Sequence, residues 1–294
     1  MKKYPPYKKG SIEVDDNHSI YYELYGNPKG IPLVYLHGGP GGGFDEKDKR
    51  FFNPQVWNVL LFDQRGAGKS TPFCETKHNN TWKLVDDINL LTKKFGFKKF
   101  VLFGGSWGST LSLVYAMTYP KRIRGMVLRG IYTNTQDEQN YIYTNARYFQ
   151  PLVWNRFMSH VPKKYRGKVG ETPHYYQNKI FSKDKEISEK YCYEWTLYEL
   201  SLLFLHPNLP KLEKILKTDP VAHSLAKIEV HYFVNNCFLE KNFIQRNIKE
   251  IAHMPKSTLN IVHAGHSSSE PANSRALKNG VREMERIMRP RYKC

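Results

Sequence analysis

The sequence predicts an α/β protein: a mostly parallel sheet covered by helices and interrupted by a long helical insertion. Three observations carry that prediction. Apolar runs ending in glycine alternate with stretches of helical spacing up to about residue 133. A G-x-S-x-G stands between one such run and a helix. From about residue 134 to 250 the strand-like runs stop, and Tyr, Asn, Trp, Lys and Glu dominate at helical periodicity.

The elements follow in order. Pro32 to Pro40 (PLVYLHGGP) and Asn58 to Gly66 (NVLLFDQRG) are apolar runs closed by glycine, as strands buried on both faces are. Trp82 to Phe95 spaces Leu84, Ile88 and Leu91 as one face of a helix. Lys99 to Gly108 is a strand running into a turn. Ser109 to Pro120 is a helix stopped by proline, and Gly125 to Tyr132 is a further strand. After the insertion come one strand, Leu259 to Val262, and one helix, Ala276 to Met288, where a sheet of this size calls for one more strand. The expected organisation is therefore a core over residues 1–133, an insertion over 134–250, and a shortened return to the core over 251–294.

Lys and Arg number 45 against 27 Asp and Glu, a net charge of +18. Such a charge can steer anions, but no basic block reaches the length of a nucleic-acid arm, so basic solvated surface is the expectation. No stretch approaches the ~18 apolar residues of a membrane span. The N-terminal MKKYPPYKKG has no apolar segment after its basic residues, as a secretory signal would. Cys74, Cys192, Cys237 and Cys294 lack metal-ligand spacing. Together these point to a cytoplasmic protein without a metal, with no nucleic-acid or membrane partner. Nothing in the chain speaks to its oligomeric state.

Gly104-Gly105-Ser106-Trp107-Gly108 is where chemistry is expected. A serine on a tight strand-to-helix turn has its hydroxyl lifted clear of the sheet, onto the positive end of the helix, and needs small neighbours. His37-Gly38-Gly39-Pro40-Gly41-Gly42-Gly43 follows the first apolar run. Its glycines let backbone N–H groups face a ligand, and the N–H groups of Gly39 and Trp107 are the candidate pair for holding an oxyanion. A phosphate loop is the competing reading, but neither G-x-G-x-x-G nor G-x-x-x-x-G-K-S is present. In Asp63-Gln64-Arg65-Gly66, Asp63 and Arg65 could pair with each other and brace the site. In the C-terminal part, Ala264-Gly265 presents His266, the candidate general base.

HGGPGGG, DQRGAGKS, GGSWGSTLSLVYA, LRGIY and AGHSSSEP, in that order, resemble the proline iminopeptidases (prolyl aminopeptidases) of the α/β-hydrolase superfamily. The resemblance runs from the YPPY segment to the last helix. It implies an α/β-hydrolase core with a helical lid, removal of N-terminal proline from peptides by serine acyl transfer, and no cofactor. Carried over, Ser106 is the nucleophile and His266 the base. Two lid acids, Glu199 in EWTLYELS and Glu229 in IEVHYF, would bind the free amino group of the substrate. Phe149, Trp195 and Phe233 are candidates for an apolar slot around the proline ring, or for plain lid packing.

One part of the resemblance is missing. The family's triad acid lies in a G-R-Y-D segment after the lid. Here Ile251-Ala252-His253-Met254-Pro255 matches the approach to that strand, and Lys256 to Val262 already matches the next one. A strand, its acid-bearing loop and a helix are expected to be absent. Asp137, soon after the LRGIY strand, is the candidate substitute, with Glu250 and Glu270 flanking the gap. A related esterase or amidase, or a catalytically inactive shortened form, are the alternatives.

Overall fold

The computed structural model describes residues 5–168, 170–252, 259–261 and 282. Seven strands form one sheet: β1 (Lys8–Glu13), β2 (Ser19–Gly26), β3 (Ile31–Leu36), β4 (Trp57–Phe62), β5 (Phe100–Gly105), β6 (Ile123–Arg129) and β7 (Leu259–Ile261). Their order is β1-β2-β4-β3-β5-β6-β7. β1 pairs antiparallel with β2, and β2 antiparallel with β4; every other pairing is parallel. The expected mostly parallel sheet is thus present, with an antiparallel edge added. That edge escapes a search for apolar runs, because Lys8–Glu13 buries only Ile12.

The central strands are apolar because both their faces are covered. All six residues of β4 and all six of β5 are buried. One face carries α1 (Thr81–Lys94) and α2 (Trp107–Thr118), which pack Leu84, Ile88, Leu91, Leu111 and Val114 into the main core cluster. The other face is an aromatic cluster, with Tyr35, Phe51 and Phe52 around Phe103.

Beyond β6 the chain becomes helical. It runs through α3 (Gln136–Tyr143), α4 (Pro151–Ser159), α5 (Glu171–Ile180), α6 (Lys185–Leu202), α7 (Leu209–Leu216), α8 (Val221–Val234), α9 (Phe243–Asn247) and α10 (Lys249–Ala252). α3 starts on a capping box, in which Thr135 and Glu138 satisfy each other's backbone donors. Phe157 stacks between Tyr176 and Tyr198, at 4.2 and 4.1 Å, and so joins α4, α5 and α6. Among the described residues no helix is long and apolar enough to cross a membrane.

β7 is the strand that the sequence places before His266, and it lies parallel beside β6, with Met126 opposite Leu259 and Leu128 opposite Ile261. It follows α10 after only residues 253–258. His266, Glu270 and the helix expected at Ala276 to Met288 lie outside the described residues, apart from Arg282.

Candidate active site

Ser106 sits between β5 and α2 with φ 53° and ψ −123°, a left-handed conformation that costs a non-glycine residue energy. Packing enforces it. A Cβ on Gly104 would stand 2.2 Å from the Gly108 carbonyl oxygen, and one on Gly108 2.1 Å from that of Leu36. Only glycine lets α2 come this close to the strands. The Ser106 N–H donates to the Arg129 carbonyl at 3.0 Å, and the Ser109 hydroxyl donates to the Ser106 carbonyl at 2.6 Å. The Ser106 side chain takes no part in capping α2.

The glycine loop is held from two sides. The Gln64 N–H donates to His37 Nε2 at 2.9 Å, the Gln64 amide donates to the His37 carbonyl at 3.0 Å, and the Trp107 indole donates to Gln64 Oε1 at 2.9 Å. Gln64 therefore ties the loop before Gly39 to the residue after Ser106. Burial pushes the His37 imidazole down to about 4, so it is neutral near pH 7 and its Nδ1 proton faces the Gly38 carbonyl at 2.9 Å. His37 is a loop brace, as its turn position suggests. From the other side, the Ser224 hydroxyl of α8 donates to the Gly41 carbonyl at 2.9 Å. A Cβ on Gly41 would come within 2.4 Å of the Ser224 carbonyl.

Asp63 and Arg65 do not pair with each other, contrary to one expectation. Asp63 accepts the N–H groups of Phe44 (2.9 Å) and Lys69 (2.8 Å), and burial pushes its carboxyl up to about 6. Arg65 turns away and forks onto Asp87 of α1, with both contacts at 2.7 Å.

A cavity of about 730 Å³ opens beside the serine. Its wall includes Gly39, Ser106, Tyr132, Glu199, Glu229 and Phe233. Glu199 on α6 and Glu229 on α8 face it together because the Thr196 hydroxyl donates to the Ala222 carbonyl at 2.9 Å and locks the two helices. Glu229 accepts the Trp195 indole N–H at 2.7 Å. Glu199 Oε1 is buried without a hydrogen-bond partner, as is the Tyr143 hydroxyl. Burial pushes Glu199 up to about 7. Burial, with Glu199 adding repulsion, raises Glu229 further. Among the described residues neither carboxylate has an ion-pair partner.

Comparisons with known proteins give the family and the fold. Residues 31–167 match a family described as the alpha/beta hydrolase fold. A proline iminopeptidase from Arabidopsis thaliana is 36 % identical over 96 % of this chain and 81 % of its own. One from Neisseria gonorrhoeae is 33 % identical over 95 % of this chain and 96 % of its own. The chain belongs to the proline iminopeptidase family. Among solved structures, VinJ superposes with a TM-score of 0.58 at 18 % identity, covering 96 % of this chain and 100 % of that one, a likeness of fold. Being a proline iminopeptidase by family, the chain is an α/β-hydrolase enzyme.

Within this member of the family, one cavity gathers Ser106, Gly39, Glu199, Glu229 and Asp137. Trp107 is buried directly behind them. Asp137 is exposed in the first turn of α3, and Glu250 is exposed on α10. Of the three aromatic candidates, Phe233 lines the cavity near Tyr132, with ring centroids 6.0 Å apart. Trp195 is buried behind Glu229, and Phe149 stands exposed at the rim. Gln64 is the supporting residue whose role the sequence does not mark, since its two partners, His37 and Trp107, come from two other segments. Among the described residues no group of three or more His, Cys, Asp or Glu is arranged to hold a metal ion.

Proposed function

We propose that this protein is a serine aminopeptidase that releases N-terminal proline from peptides through an acyl-enzyme, with residues 134–250 as its lid. The observation that carries the reading is the pair Glu199 and Glu229, buried without a cation on the wall of the cavity that holds Ser106. Without a cation such a pair relieves its burial by keeping protons, and a cationic ligand is what would bring out its negative charge. The free ammonium of a peptide N-terminus does so, and Tyr132 and Phe233 offer apolar surface to the ring beside it.

The chemistry follows from that pose. The Ser106 hydroxyl attacks the carbonyl of the first residue and gives its proton to His266. The N–H groups of Gly39 and Trp107 hold the resulting oxyanion. The imidazolium returns the proton to the leaving amine, and water then frees proline from the serine ester. In the cytoplasm, where we place the protein, Cys74, Cys192 and Cys237 remain free thiols. Proline release from a Pro-arylamide by purified protein, lost in Ser106→Ala, is the test. Equal turnover of an N-acetylated substrate would overturn the amine-recognition reading in favour of an esterase or amidase.

A second reading has its own support. β7 pairs directly with β6, and the alignments with relatives run over 311 and 307 positions, more than the 294 residues of this chain. Those relatives thus carry residues that this chain lacks. A histidine delivered one strand position closer is displaced by about 4.8 Å, and a triad without its acid loses ~10⁴ in turnover. On this reading the chain binds substrate but turns it over poorly, with Asp137, which lines the same cavity as Ser106, the candidate substitute acid. A fluorophosphonate probe separates the two: rapid labelling of Ser106 supports the active form, and no labelling supports the impaired one.

A further inference from the structure

The cavity extends beyond the amine pair into an outer wall that the chemistry above leaves unused. Among the described residues the four most exposed large apolar side chains are Leu152 (79 %), Tyr148 (69 %), Leu205 (69 %) and Phe149 (66 %); the next is Ile248 at 46 %. All four fall on two short segments, residues 148–152 and the chain just after α6. Gln150 ties the segments together, its amide donating to the carbonyls of Phe204 and Leu205 at 2.9 Å each. Phe149 and Leu205 line the cavity itself, and Tyr141 packs against Phe149 at 6.2 Å. Glu229 and Phe233, on the same cavity, are buried. The cavity therefore runs from a buried acidic end to an exposed apolar lip. Patches of this kind on a soluble protein mark a binding surface.

We propose that this lip is the subsite for the second and third residues of the peptide, and that it selects apolar or aromatic side chains there. The inference rests on the proline-releasing reading. With the amino group held at the buried end and the first carbonyl at Ser106, the rest of the peptide leaves only through the mouth. A volume of about 730 Å³ is far more than one proline ring needs and is that of a pocket for a larger ligand. Asp137, exposed on the same wall, turns acidic side chains away.

The test uses the full-length Ser106→Ala protein, so that neither turnover nor the state of the triad enters. Binding of amide-capped Pro-Phe-Leu, Pro-Gly-Gly and Pro-Asp-Gly is measured by calorimetry. The expected result is ~10-fold tighter binding of Pro-Phe-Leu than of Pro-Gly-Gly, with Pro-Asp-Gly weakest. Adding Phe149→Ser and Leu205→Ser abolishes the Phe-Leu advantage and leaves Pro-Gly-Gly unchanged; at such exposed positions the fold is little affected. Equal binding of all three peptides overturns the lip and leaves the proline reading standing. Equal binding of N-acetyl-Pro-Phe-Leu overturns amine recognition instead. A dimer in sedimentation that the double variant dissolves assigns the lip to a second copy, and overturns the subsite.

Discussion

Two regions of this molecule bury carboxylates and use them in opposite ways. Behind the glycine loop, Asp87 is gripped by both arms of Arg65, which also reaches Asp15. On the cavity wall, Glu199 and Glu229 stand together with no cation, and burial raises both above the usual carboxylate range. The first arrangement satisfies every charge internally and fixes the Asp63–Gly66 loop against α1. The second holds protons in the free protein where a cation would otherwise stand. Acids that brace a fold bring their own partner; on the proposed reading, the cavity acids leave that place for a ligand.

The sharpest way to break the comparison is Arg65→Leu. It strands Asp87 in the core and is expected to cost about 3–5 kcal/mol, read from the urea midpoint. A midpoint within error of the parent would mean that the pair braces nothing. Next comes Glu229→Gln, which keeps an acceptor for Trp195. We expect undiminished stability, and kcat/KM for a Pro-arylamide down ~100-fold through KM, about 3 kcal/mol of a charged contact. An unaltered KM would remove Glu229 from substrate binding.

Third is the pH dependence of stability. Glu199 has its folded-state pKa raised from the ordinary 4.5 to about 7. Its contribution is therefore fully present below pH 4.5 and is lost as pH rises through 7, because the unfolded chain ionises first. Glu199→Gln should thus stabilise the protein at pH 8 relative to the parent, by on the order of 2 kcal/mol, and be neutral at pH 4. Thermal melts at the two values check it; a Gln variant less stable at pH 8 contradicts the assignment. The smallest effect belongs to Gln64→Leu, which leaves the Trp107 indole and the His37 carbonyl without partners. It is expected to cost ~1–2 kcal/mol and to slow fluorophosphonate labelling of Ser106 while leaving KM for the Pro-arylamide unmoved.

What could be read early was local. β3, β4, β5 and α2 show in the sequence because strands buried on both faces must be apolar, and because the bend at Ser106 tolerates only glycine at 104 and 108. The edge strand β1 did not show, since Lys8–Glu13 has little to bury. Glu199 and Glu229 look like ordinary helix residues by spacing alone, and only the family resemblance picks them out. Gln64 lies in the DQRG stretch, but nothing local marks its role, for its partners lie 27 and 43 positions away.

The amino-acid sequence by itself determined the layer of parallel strands, the serine on its bend and the helical insertion, because each depends on side-chain volume and hydrophobic period within a short stretch. Tertiary structure alone decided that Asp63 and Arg65 part company, that two acids from separate helices line one cavity with the serine, that Phe149 stands at the lip, and that β7 lies against β6. Those outcomes depend on which surfaces meet across the fold, and desolvation and packing between distant segments leave no mark on the order of residues.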